Sequence, residues 1–153
     1  MKRLILLFVI ALVSSSAIAD DLADTKKAFA TLVEYQKTDD ERTPDLFSKD
    51  CAITFVFSDG KNEKTAVVPT EVFIESLKKE IARKAGNPNP YEDVKYSPED
   101  SGIRVTANVH YARSGQKGPF SALYRRSADG VLRIHTFKVT VFSKELTTNK
   151  QHQ

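Results

Sequence analysis

The segment Ile103–Tyr111 limits what this chain can become more than any other part of it. Ile103, Val105, Ala107, Val109 and Tyr111 alternate with Arg104, Thr106, Asn108 and His110, and a period of two is that of a strand with one covered face. The strand reading extends over Ile103–Arg113, and three further runs, Tyr91–Tyr96, Pro119–Arg126 and Val131–Phe142, read the same way. Turn clusters separate them: Ser97–Gly102, Ser114–Gly118 and Ser127-Ala128-Asp129-Gly130. Connections this short make successive strands antiparallel neighbours.

Upstream the pattern is mixed. Asp21–Thr38 predicts a helix, with Leu22, Phe29, Leu32, Val33 and Gln36 on one stripe, acids leading and Lys37 trailing. After a polar break at Asp39–Arg42, Thr43-Pro44-Asp45 reads as a cap with proline at the first helical position, opening a short helix through Phe47. Ala52–Ser58 is a strand with no charge on either face, so both faces are expected to be covered. Asp59-Gly60 is a turn signal, and Lys64–Val68 a return strand. Pro69-Thr70-Glu71 opens a helix through Ala85 with Gly86 as its stop, and Phe73, Leu77 and Ile81 lie along one side of it. The tail from Thr147 to Gln153 is polar and expected to be disordered.

The N-terminus has the layout of an export signal: Lys2 and Arg3, an apolar run from Leu4 to Val13, then Ala17-Ile18-Ala19 as a small-x-small cleavage site. That run is shorter than the roughly 20 residues a membrane-spanning helix needs. Residues 1–19 are therefore expected to be removed, leaving one soluble periplasmic or secreted domain over residues 20–146 with no membrane attachment. Without the signal, 21 basic residues face 20 acidic ones, so the mature charge is +1. Nucleic-acid binding loses its compositional support.

The charge is unevenly placed. Residues 20–102 carry 18 acids against 12 lysines and arginines, and residues 103–153 carry two acids against nine. Cys51 is the one cysteine, so no internal disulfide forms, and its place at the head of an apolar strand reads as a small buried hydrophobe.

Helix, short helix, hairpin, helix and four long antiparallel strands resemble, in that order, the nuclear transport factor 2-like superfamily, here as an exported member. Three local features carry the likeness. Leu46–Ala52 looks like the family's short helix leading into its first strand, and Val72–Ile81 like its pocket-closing helix. Asp129–Ile134 looks like its last hairpin, although Leu132 stands where an aromatic is common. The resemblance implies an α+β fold of the cystatin-like cone type, a curved antiparallel sheet wrapped around N-terminal helices with a pocket inside. It also implies two classes of function, since the superfamily holds isomerases, cyclases and dehydratases beside proteins that only bind.

Such enzymes need a carboxylate or histidine whose pKa an apolar pocket tunes. No Asp or Glu occurs in 52–58, 103–113, 119–126 or 131–142, and the acids that remain lie on helices, in turns or at Glu92 and Asp93 of the first late strand, so a pocket dyad from the sheet is not available and no catalytic residue is assigned. His110 shares the polar face of its strand. His135 is in phase with Phe137, Val139 and Val141 but out of phase with Leu132 and Ile134, so either a bulge switches faces there or both faces are covered. Residues expected to reach a ligand are Tyr35, Phe73, Leu77, Tyr111, Tyr124 and His135. Arg104, Asn108 and His110 are expected on an outer sheet face that docks an acidic protein, an anionic molecule or a second copy of the chain. No metal-ligand spacing, phosphate loop or nucleophile elbow is present, and no cofactor is implied. The favoured reading is an exported binding module for a small apolar or anionic ligand or a protein partner, with an isomerase-, cyclase- or dehydratase-type enzyme as the alternative.

Overall fold

The computed structural model describes residues 2–84, 86, 89–111 and 115–142, with side chains from residue 18 onward. The tail 147–153, Arg113 and the side chains of the apolar run 4–13 lie outside the described residues. Elements follow in the order α1 (Lys2–Thr38), η1 (Thr43–Leu46), β1 (Phe47–Ser58), β2 (Glu63–Val68), α2 (Thr70–Ala82), β3 (Tyr91–Glu99), β4 (Gly102–Tyr111), β5 (Gln116–Arg126) and β6 (Leu132–Phe142). The strands form one six-stranded curved sheet in the order β2-β1-β6-β5-β4-β3. All neighbours are antiparallel except β1 and β6, which run parallel from Phe47↔Ile134 to Ser58↔Phe142. The sheet is therefore mixed rather than wholly antiparallel. That one parallel pair joins the early hairpin to the late strands.

Several boundaries differ from the sequence reading. Phe47 does not end the short helix but starts β1: η1 is a single turn, and Phe47 is extended at φ −99°, ψ 141°. Its ring, buried, meets Phe73 at 5.1 Å and Phe137 at 5.5 Å, contacts that a helical Phe47 would lose. β3 runs on through Ser97 and Pro98 to Glu99, because it pairs only with β4 and a proline costs no ladder bond on an open edge. β5 starts at Gln116 rather than Pro119, and its pairing with β6 begins only at Phe120. α2 ends at Ala82, short of Ala85, because Lys84 already turns the chain at φ +51°. Gly86 then donates its N–H to the Asp39 carboxylate, tying the ends of the two helices together. α1 is continuous from Lys2, with Ile18 and Ala19 exposed. From residue 18 onward, its first buried residue is Thr25.

The helices cover one face of the sheet. Phe29 and Leu32 of α1 and Ile53, Val105, Ala107, Val109, Phe120, Ala122, Tyr124, Ile134 and Phe137 of the strands form a single buried cluster. Aromatic rings run through it without a break. Phe29 meets Tyr91 at 5.3 Å, Tyr91 meets Phe120 at 5.0 Å, Phe120 meets Phe137 at 5.5 Å, and Phe137 meets Phe73 at 5.7 Å. Edge-to-face pairs of this kind bury large apolar area and fix ring orientation. Cys51 is buried as expected, and its carbonyl accepts the Thr70 hydroxyl at 2.7 Å, which seats the start of α2 on β1.

Candidate functional site

The inner face of the cone holds aromatic rings. Among the described residues no Asp or Glu is buried, and His135 is the one buried histidine. Tyr124 lies fully inside, and burial drives its phenol well above the ordinary range. Its hydroxyl and that of buried Thr25 have no hydrogen-bond partner among the described residues. Tyr91 donates its hydroxyl to Gln36 Oε1 at 2.9 Å. Phe73 and Leu77 pack against the core from α2 without being fully buried. Tyr111 is half-buried, donates to the Thr140 carbonyl and stacks edge-on against Phe142; burial raises its phenol to about 12. Tyr35 is outside the core cluster, half-exposed, with the Arg42 guanidinium 4.7 Å over its ring. The six residues expected around one ligand are thus not brought together: four belong to the core, Tyr35 lies to one side, and His135 lies elsewhere.

The uneven charge resolves into pairs within the molecule. Arg104 holds Glu99 at 2.5 Å, and Lys117 and His110 meet Glu92 at 2.5 and 3.3 Å. Arg126 reaches Asp21 and Asp24 at 2.9 and 2.5 Å, which fastens α1 to the sheet. Asn108 donates to Asp93 at 3.1 Å. Arg104, Asn108 and His110 do share an outer face, yet each is already engaged by an acid of β3.

His135 marks a different place. Leu123 faces Thr136 and Tyr124 faces Ile134, so His135 is the extra residue of a bulge between β5 and β6. On the other side β1 skips from Phe47↔Ile134 to Ala52↔Thr136, a second irregularity at the same level. Bulges re-aim side chains; this one keeps Ile134 and Phe137 in the core and turns His135 to the side of Arg125. There the ring is only 9% exposed. Its Nδ1 lies 3.0 Å from Arg125 Nη2 and 3.8 Å from Asp50 Oδ1, and its Nε2 lies 3.3 Å from Ser127 Oγ. Ser48, also buried, donates to Asp50. Burial first, then the Arg125 charge, lowers the His135 pKa, with Asp50 opposing; the Ser48 hydroxyl holds Asp50 below the usual carboxylate range.

Ser127, His135 and Asp50 have the composition of a nucleophilic triad but not its protonation. A guanidinium can only donate, so Nδ1 accepts from Arg125 and the neutral ring carries its proton on Nε2. A base for Ser127 would need Nε2 as acceptor. The arrangement instead holds a neutral histidine against an arginine.

Around it runs a groove of about 1040 Å³ between η1, the β1 bulge, α2 and the β5–β6 turn, with Pro44, Phe47 and Ile74 as its apolar wall. Five bases (Lys49, Lys78, Arg125, Arg126, Arg133) and four acids (Glu41, Asp45, Asp50, Asp129) line it, and Arg126 is held by Asp21 and Asp24 besides. Six arginine side chains are described. Arg42, Arg83, Arg104, Arg126 and Arg133 each hold a carboxylate, at 2.5–2.9 Å. Arg125 holds none. A smaller hollow of about 610 Å³ at the far ends of α1 and α2 includes Asp39, whose carboxylate is occupied by Gly86. Arg125, Ser127, Asp50 and Ser48 were not singled out from sequence. The one signal pointing there was the change of apolar phase between Ile134 and Phe137.

No protein-family model matches the sequence, and neither does any curated protein. Solved structures do match. A candidate dehydratase of the nuclear transport factor 2-like family from Streptomyces avermitilis superposes with a TM-score of 0.58 at 15% identity, over 80% of this chain and 96% of that one. A nuclear transport factor 2-like protein of unknown function from Silicibacter pomeroyi gives 0.55 at 12% identity, over 79% and 95%. A protein of unknown function from Pectobacterium atrosepticum gives 0.56 at 18%, over 82% and 93%. The chain has the nuclear transport factor 2-like fold. At these identities the likeness concerns the fold alone, and function must be argued from the site. Within this nuclear transport factor 2-like cone the usual place for chemistry, the concave interior, is occupied by Phe29, Phe120, Phe137 and Tyr91, while the polar cluster lies at the β1–β6 bulge.

Proposed function

We propose that the protein is an exported, non-catalytic binding module that holds an anionic ligand in the groove beside His135. One observation carries the reading: Arg125 alone of the described arginines has no carboxylate within ion-pair distance, and it lines the groove. A guanidinium left without an anion on a protein that pairs its other arginines is a vacant half of an ion pair. Export is supported by Lys2, Arg3, the apolar run and Ala17-Ile18-Ala19. The likeness to a candidate dehydratase favours an enzyme of the isomerase, cyclase or dehydratase type as a second reading. Against it stands the absence of any buried Asp or Glu among the described residues. Native mass spectrometry of the mature chain taken from its own compartment tests the choice. An adduct of small-acid mass that disappears in Arg125→Gln supports the groove. A neutral apolar adduct that persists in Arg125→Gln would overturn it and turn attention back to the interior.

A further inference from the structure

The contact between Arg125 and His135 joins two groups that each do better with another partner. A guanidinium bonds a carboxylate through two parallel N–H···O bonds, roughly twice as strong as a bond to a neutral acceptor. An imidazole gains most from a carboxylate when it is protonated, and Asp50 Oδ1 waits 3.8 Å from Nδ1. As the side chains stand neither exchange occurs, because Arg125 Nη2 occupies Nδ1 at 3.0 Å.

We infer that the groove takes the carboxylate of an organic acid with an apolar body, and that its binding draws one proton onto His135. The inference rests on the anionic-ligand reading above. An incoming carboxylate takes the Arg125 fork, which releases Nδ1. The ring then has a free nitrogen facing Asp50 and a new negative charge beside it, and both favour the imidazolium. Protonated at Nδ1, His135 donates to Asp50, while Nε2–H keeps Ser127. Ser127 Oγ accepts that proton at 3.3 Å and so has its own O–H to offer the ligand.

The charged groups around the ring bear this out from each side. From β1 it faces Asp50, with Lys49 beyond; from β5, Arg125 and Arg126; on its own strand, Arg133, which Asp129 of the turn holds at 2.8 Å. Across the groove stand Lys78 of α2, Glu41 and Asp45. Neutralising Arg125 removes the nearest positive charge opposing protonation and leaves Asp50 the nearest charge.

The class of ligand follows from charge and shape. A single planar guanidinium without a carboxylate of its own matches one planar carboxylate. A dianionic phosphate would meet Asp50, Asp129, Glu41 and Asp45 with one free arginine to offset them. Pro44, Phe47 and Ile74 give an apolar wall for the body of the acid.

Octanoate is the probe, with inorganic phosphate as the comparison, and titration calorimetry at pH 6, 7 and 8 in two buffers of different ionisation enthalpy is the measurement. Octanoate is expected to bind with proton uptake and to weaken by up to about tenfold per pH unit where the linkage is complete. Arg125→Gln is expected to abolish binding at every pH. His135→Gln, or His135→Asn where that folds better, is expected to bind octanoate with no pH dependence and no buffer-dependent heat. Equal octanoate affinity at pH 6 and 8 with no proton uptake, in a site still lost in Arg125→Gln, would overturn the proton coupling while leaving the anion groove intact. Phosphate binding without octanoate binding would overturn the ligand class. If neither anion binds, both this inference and the reading beneath it fall.

Discussion

Tyr124 carries its hydroxyl into the core, where neither it nor the hydroxyl of buried Thr25 has a hydrogen-bond partner among the described residues. A buried polar group without a hydrogen bond costs about 1–3 kcal/mol, so Tyr124→Phe and Thr25→Val are each expected to stabilise the domain by about 1 kcal/mol. Denaturant unfolding checks this, and a loss of stability in both would mean that the hydroxyls share an internal water. His135 contributes to the pH dependence in the same sense as an ion-paired acid. Its folded pKa is lowered below the unfolded value of 6.5, so below that value the unfolded chain binds a proton that the folded one resists. Stability is expected to fall as pH drops from about 7 towards 5, and His135→Gln is expected to flatten that slope. The thiol of Cys51 is pushed up to about 12, chiefly by burial, so the folded protein is expected to resist iodoacetamide at pH 8 and to react once unfolded. Of the residues proposed to matter, His135 could be singled out from sequence. Asp50 could not, because nothing local to Lys49-Asp50-Cys51 says which strand will lie opposite.

At the scale of elements, α2 is the part whose role was clearest from its pattern. Phe73 and Leu77 do face the core, but no residue of the helix is fully buried. Phe73 contacts Phe47, Phe55 and Phe137, at 5.1, 6.1 and 5.7 Å between ring centres. Phe73→Ala is therefore expected to cost about 3 kcal/mol, and Leu77→Ala less, since a helix that only lids a core leaves smaller cavities. Thermal melting of the two variants checks the order. An equal and negligible effect would detach α2 from the core. Strand boundaries at Phe47, Pro98 and Gln116 were misread for one reason. Residues with turn chemistry join a strand when a neighbour offers a ladder, and that neighbour is chosen elsewhere in the chain.

For the whole molecule, the acidic first part and basic last part are complementary rather than independent surfaces. Asp21 and Asp24 hold Arg126 more than a hundred residues away, and Glu92 and Glu99 hold Lys117 and Arg104. Removing the first clamp in Asp21→Asn/Asp24→Asn is expected to lower the melting temperature slightly at low salt and hardly at all at high salt. Exposed pairs are weak and screened. An undiminished effect at high salt would mean that these acids act through packing. The same pairing explains why a basic docking face, reasonable from charge counts alone, narrows to the single unpaired guanidinium of Arg125.

The sequence by itself determined the number and order of the elements, the inward residues of β4, the buried cysteine and the absence of carboxylates from β4, β5 and β6, because side-chain period and composition are local properties. From these the cone fold followed. Tertiary structure decided the parallel contact of β1 with β6, the bulge that turns His135 to Arg125, and the pairing of the two charge-biased parts. Each of these joins residues far apart in the chain, and no local period encodes which of them will meet.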